Sequence, residues 1–178
     1  MKRKHTNTQE LCMIGVVTSV IVIMAQISIP MPLGVPFTLQ SFAITLAGIL
    51  LGARHGALAS LIYVLLGAIG LPVYSNMTGG YQSLIGPTGG FIISFPLMAY
   101  IIGFGVRYYN KKKLLYILGL LLGTALNFLC GMLHFAVVTH SNLFVAFTAT
   151  VLPFLPATVL KLILASILGW SIKKRMPK

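Results

Sequence analysis

Long apolar runs follow one another along this chain, separated by short gaps rich in proline, glycine or basic residues. A helix needs about 20 apolar residues to cross a hydrocarbon layer of about 30 Å. The pattern predicts six such spans, at about 11–29, 37–52, 56–72, 90–106, 114–139 and 150–172. Pro30, Pro32 and Pro36 break the chain after the first, and the turn GARHG separates the second from the third. Pro72 ends the third, and RYYNKKK separates the fourth from the fifth. Pro153 and Pro156 either delay the start of the sixth span to about residue 156 or kink its outer half. The expectation is an all-α integral membrane bundle of six transmembrane helices, forming one domain over 1–178.

Charge gives this bundle an orientation. Twelve of the thirteen Lys and Arg residues fall in alternate gaps: the N-terminus, Arg54, the 107–113 loop and the C-terminal tail. The gaps at about 30–36, 73–90 and 140–150 hold none. Alternation of this kind marks the cytoplasmic connections of a multi-span protein, so both termini are expected on the cytoplasmic side. The net charge of +12 therefore faces headgroups, and nucleic acid is excluded as a partner. The first run is as long as a full span and lacks an A-x-A cleavage site, so a cleaved signal peptide is not expected.

The gap at 73–90, VYSNMTGGYQSLIGPTGG, is long, polar, uncharged and rich in glycine. It reads as an outer binding loop rather than a plain linker. Its Tyr74, Asn76, Gln82, Gly86, Thr88 and Gly89 are the candidate ligand contacts. Small residues also recur at helical spacing: Gly15 and Ser19; Gly48, Gly52 and Gly56; Gly119, Gly123, Asn127 and Gly131. Spacing alone favours internal packing for all three rows, since such rows let helix backbones approach closely. A docking face for another membrane subunit is the alternative for Gly15 and Ser19.

Catalytic chemistry is not visible. Cys12 and Cys130 form no CxxC pair, and His5, His55, His134 and His140 match no metal spacing. The chain holds no Walker A, GxSxG or HExxH pattern, so it is not read as an enzyme or as an ATPase. No metal or cofactor is expected.

The thirteenth basic residue, Lys161, lies inside the sixth run. An ammonium within a span is costly unless it is paired or hydrated. Glu10 is the single acidic residue, and the topology puts it at the opposite face. Lys161 therefore reads as an anion-binding group, with snorkelling to the outer interface as the alternative. Thr158, three residues earlier, shares its helix face. Asn127, near the middle of the fifth span, reads equally as a ligand contact or a helix–helix hydrogen bond. Gln26 and Gln40 read as structural. Together these groups describe an outward-opening pocket for a small, largely apolar molecule with a carboxylate and some hydrogen-bonding groups.

Several ordered motifs carry a resemblance. QISIPMPLGVPFTLQ at 26–40, LLGARHGALASLIYVLLGAIGLPVY at 50–74, GPTGG at 86–90 and PFLP followed by Lys161 resemble the biotin-specific substrate-binding subunits of energy-coupling-factor transporters. These are the S components of the BioY family, and the likeness runs from about 11 to 172. It implies a six-helix bundle in a bacterial plasma membrane that binds biotin from outside. It also implies two kinds of partner: a transmembrane coupling subunit and two cytoplasmic ATPase subunits. It gives Gly15 and Ser19 the role of a docking face, and sets Lys161 in a motif where the family pairs a lysine with an acid at the position of Thr158. One departure stands out. The family carries Gly-Asp ahead of two residues and the lysine, where this chain has Ala157-Thr158. A threonine hydrogen-bonds but brings no charge. The rival classes are an autonomous secondary transporter, which usually needs a membrane acid, and a structural subunit that binds no ligand.

Overall fold

The computed structural model describes residues 7–31, 34–109 and 112–175. The chain is almost entirely helical. In order come α1 (Asn7–Gln26), a two-stranded ribbon, α2 (Gln40–Ala68), α3 (Tyr81–Ile85), α4 (Gly89–Val106), α5 (Lys113–Val138), α6 (Leu143–Thr150) and α7 (Leu155–Arg175). The ribbon joins β1 (Ser28–Ile29) to β2 (Phe37–Thr38) in antiparallel register, Ser28 opposite Thr38 and Ile29 opposite Phe37. Among the described residues, five segments are long and apolar enough to cross a membrane: Thr8–Gln26, Gln40–Ala68, Gly89–Val106, Lys113–Val138 and Leu143–Arg175.

The five-against-six difference lies in α2. The runs at 37–52 and 56–72 form one unbroken element, whose helical geometry is interrupted at Gly52 (φ 77°, ψ −173°). A positive φ is open to glycine because it has no Cβ to clash. The chain reverses there. Gln40 Nε2 donates to the Tyr63 hydroxyl at 2.5 Å, although 23 residues of continuous helix would separate them by about 34 Å. A Cβ on Gly56 would stand 2.8 Å from the Ala47 carbonyl oxygen. The arms 40–51 and 53–68 therefore lie against each other as a hairpin, with no loop between them.

Other boundaries also move. The first span, expected to reach 29, ends at Gln26, because residues 28 and 29 pair in the ribbon. The second, expected from 37, begins at Gln40 for the same reason. The gap expected at 140–150 is largely α6, whose first turn is capped by the Asn142 side chain accepting from Val145 N at 2.8 Å. A short 3-10 turn, Leu152–Phe154, then separates α6 from α7. Pro153 sits in that turn, and Pro156 falls in the first turn of α7, where a missing N–H costs nothing. The 73–90 segment is ordered, with a 3-10 turn at Ser75–Met77 and then α3.

The main core joins α1, both arms of α2, α4, the lower part of α5 and α7, around Ile21, Ile44, Ile49, Tyr63 and Ile102. A second cluster, Val35, Phe135, Ala136, Ala146, Ala149 and Phe154, lies between the ribbon, the far end of α5 and α6. Leu122, Val137 and Phe144 are among many large apolar side chains left on the outside, as lipid-facing helices require. Lipid is as apolar as leucine, so close approach at small residues supplies much of the packing. Gly105 and Gly119 meet in this way, a Cβ on Gly119 standing 2.8 Å from the Gly105 Cα. Gly48 meets the Ala99 carbonyl and Gly123 the Met98 carbonyl. Internal packing is thus the outcome for Gly48, Gly56, Gly119, Gly123 and Gly131, while Gly52 makes the reversal.

Candidate functional site

The ribbon and the turn before α7 meet over one end of the bundle, and a cavity opens beneath them. Its wall takes Val35, Pro36 and Thr38 from the ribbon segment and Gln40, Ser41 and Thr45 from the first arm of α2. Phe91, Ile92, Phe95 and Met98 come from α4, and Thr124, Asn127 and Phe128 from α5. Thr150, Phe154, Thr158, Lys161 and Leu162 close the other side, with Ser75 and Thr88 from the 73–90 segment. The wall sets nine apolar side chains, four of them aromatic, beside eight hydroxyl-bearing residues, two amides and one cation. An apolar surface with polar groups converging on it suits a small-molecule site.

Lys161 is 9% exposed. Its Nζ donates to the Thr38 carbonyl oxygen at 2.6 Å and lies 3.9 Å from the centre of the Phe37 ring. Both contacts come from the ribbon, so the lysine points into the bundle and does not snorkel. The ring face attracts the cation, and the carbonyl supplies one acceptor. Neither is a counter-ion. Glu10 stands at the other end of α1, 3.7 Å from His55 Nε2 beside the hairpin turn. Among the described residues no carboxylate approaches Lys161. Its ammonium carries three N–H donors, and one is taken by Thr38.

Thr158 lies one turn before Lys161, buried on the same face and lining the same cavity. Asn127 is buried too, and its Nδ2 donates to the Phe91 carbonyl at 3.0 Å and to Ser94 Oγ at 2.8 Å. The asparagine thus makes the helix–helix bond and also lines the cavity. Gln40 does both as well, through its bond to Tyr63.

The 73–90 candidates divide. Thr88 lines the cavity, and Ser75, which sequence reasoning passed over, does so too. Tyr74 is 1% exposed, and its hydroxyl donates to the Val64 carbonyl at 2.6 Å. Its ring covers Gly67, where any Cβ would collide with it. Tyr74 therefore anchors the segment to α2 and lies outside the cavity wall. Asn76 is exposed and bonded to Ser28 at 2.5 Å, and Gln82 is exposed. The Gly86 carbonyl meets His134 Nε2 at 3.1 Å, and a Cβ on Gly89 would meet that same nitrogen at 2.9 Å. These two glycines close the segment onto α5. Gln26 holds the other end of the segment: its amide donates to the Val73 and Tyr74 carbonyls and accepts from Met77 N.

Sequence reasoning missed the ribbon. Thr38 and Phe37 looked like the start of a span, and only the proline cluster beside them marked an irregular stretch. The aromatic wall on α4 was also missed, because every face of that run is apolar.

Gly15 and Ser19 lie far from the cavity. Both are exposed, Ser19 Oγ bonds only back to the Gly15 carbonyl at 3.0 Å, and a Cβ on Gly15 would meet nothing within 4 Å. Unlike Gly48, Gly119 and Gly123, Gly15 meets none of the described residues at its Cβ position.

Comparison with known proteins places these features in context. A family model described as BioY family matches residues 1–178. A biotin transporter BioY of Thermotoga maritima is 37% identical over 168 residues, covering 93% of this chain and 96% of that protein. A probable biotin transporter BioY of Pyrococcus horikoshii is 36% identical over 161 residues, with 90% and 94% covered. Among solved structures, the S component for biotin from an ECF-type ABC transporter superposes with a TM-score of 0.85 at 28% identity, covering 95% of this chain and 94% of that one.

Proposed function

Because this chain belongs to the BioY family, we propose that it is the biotin-binding membrane subunit of an energy-coupling-factor transporter. Biotin enters the cavity beneath the ribbon, its carboxylate pairing with Lys161 and its ring system lying among Phe91, Phe95 and Phe128. The observation that carries this reading is a buried cation in a cavity with aromatic walls, held among the described residues by a carbonyl and a ring and by no carboxylate. A carboxylate entering there takes up the free N–H donors and supplies the missing charge. Thr158 adds a hydroxyl one turn away, in place of an acid. Thr88 closes the cavity from the 73–90 segment. Tyr74, Gly86 and Gly89 serve the site indirectly, by holding that segment to α2 and α5, and Asn76 does so by bonding to Ser28 of the ribbon, whereas Gln82 is exposed.

The chain sits in the cell membrane of a bacterium, with six spans and both termini in the cytoplasm. The reversal at Gly52 supports the count, since it divides α2 into two arms. The described basic side chains other than Lys161 support the orientation: they fall at Arg54, Arg107, Lys112, Lys113 and the end of α7. Transport draws on ATP hydrolysed by two cytoplasmic ATPase subunits, relayed by a transmembrane coupling subunit that docks on α1 at Gly15 and Ser19. The open backbone around Gly15 supports that contact.

Titration of the purified chain with labelled biotin tests binding, and no saturable binding overturns the reading. Uptake into vesicles with and without the partner subunits tests coupling. ATP-dependent uptake only with partners is the expected result, and full uptake by the chain alone points instead to an autonomous carrier.

A further inference from the structure

Polar side chains line the cavity from α5 as well as from α7. Thr124 lines the wall from α5 and is 8% exposed. Its hydroxyl is buried and, among the described residues, finds no hydrogen-bond partner. This is unusual for a helical threonine, which commonly bonds back one turn to a carbonyl. Thr45 and Thr150 in the same wall do this, bonding to the Ser41 and Ala146 carbonyls at 2.8 Å each. A buried hydroxyl left unpaired costs free energy that a bound ligand can recover.

Asn127 stands one turn further along α5, on the same face. Its Nδ2 already donates to the Phe91 carbonyl and to Ser94 Oγ. The carbonyl of Phe91 can only accept, so the amide is oriented with its nitrogen toward α4. The side-chain oxygen is left as the acceptor for a ligand. An unpaired hydroxyl and an amide oxygen with no donor among the described residues thus belong to two cavity-lining residues one turn apart on one helix face. Their complement is a group that carries a carbonyl acceptor next to an N–H donor.

Resting on the biotin reading above, we infer that Thr124 is a specificity-determining residue that donates to the carbonyl oxygen of the ligand's cyclic urea, while Asn127 Oδ1 accepts from the adjacent urea N–H. The ligand then lies with its carboxylate at Lys161 and its urea against α5. Phe91, Phe95 and Met98 cover the apolar part between them. A ligand with the same carboxylate chain but no urea leaves both α5 groups unpaired, and a site built to hydrogen-bond discriminates strongly against such a molecule.

The test compares biotin with its urea-free analogue, the tetrahydrothiophene pentanoate, on the full chain in detergent. Thr124→Val keeps the shape and removes the hydroxyl. It is expected to weaken biotin about tenfold or more and to leave the analogue's affinity unchanged. Thr124→Ser restores biotin binding. Equal losses for both ligands, or native biotin affinity in Thr124→Val, overturn the pairing. A Thr124→Val chain that fails to fold is replaced by Thr124→Ala with the same two ligands. A native chain that binds the analogue and biotin equally overturns the urea contact alone. A native chain that binds neither overturns the biotin reading and the urea contact with it.

Discussion

Lys161 Nζ donates to the Thr38 carbonyl oxygen at 2.6 Å, joining residues 123 positions apart. The bond ties α7 to the ribbon that roofs the cavity, and it makes the ribbon the partner a ligand carboxylate must share the ammonium with. Lys161→Met keeps the bulk of the side chain and removes the charge. It is expected to weaken biotin by roughly 2–5 kcal/mol, because the carboxylate is left buried and unpaired. Biotin methyl ester should bind the native chain more weakly than biotin does, and lose little further in the variant. Titration calorimetry with both ligands checks this. Equal ester losses in the two chains count against a direct Lys161–carboxylate contact.

Gly15 and Gly56 should respond in opposite ways to added bulk. A Cβ on Gly56 would press on the Ala47 carbonyl, whereas one on Gly15 meets nothing. Gly56→Leu is expected to lower the thermal midpoint of the detergent-solubilised chain by several degrees or to abolish folding, since the backbones of the hairpin arms must part. Gly15→Leu with Ser19→Leu should leave the midpoint and biotin binding intact while abolishing ATP-dependent uptake with partners. Loss of binding in step with uptake would assign that row to the bundle's own packing.

Gln26 makes three bonds that hold the start of the 73–90 segment: to the Val73 and Tyr74 carbonyls and from Met77 N. Gln26→Leu leaves these backbone groups unpaired. A cost of about 1–3 kcal/mol in stability is expected, with faster hydrogen exchange at Met77 and Thr78. Unchanged exchange there would show that Tyr74 holds the segment without help.

Orientation is open to labelling. With Cys12 and Cys130 replaced, a single cysteine at Gln82 should react with an impermeant reagent in sealed cells, and one at Lys112 should not. Both positions are exposed on the chain, so accessibility reports the side of the membrane. Labelling at Lys112 would overturn cytoplasmic placement of the 107–113 loop.

Much of this architecture was legible in local sequence. Apolar run length set the number of candidate spans. Prolines and glycines marked where they stop, and the alternation of basic gaps supplied an orientation. Lys161 stood out because an ammonium inside an apolar run has no local explanation, and Thr158 follows from it by helix spacing alone. Run length alone could not divide 40–68; the turn GARHG did, and the approach of Gly56 to Ala47 and of Gln40 to Tyr63 sets the two arms against each other about Gly52. Nor could the sequence tell which small-residue row packs inside and which faces out, or that Tyr74 and Gly89 anchor a segment while Thr38, Phe91 and Thr124 line the cavity. The reason is physical. In water an amphipathic helix declares its buried face by contrast with its polar one. In a bilayer the lipid and the protein interior are equally apolar, so the sequence of a span carries little record of which side turns inward, and packing against neighbouring helices decides it.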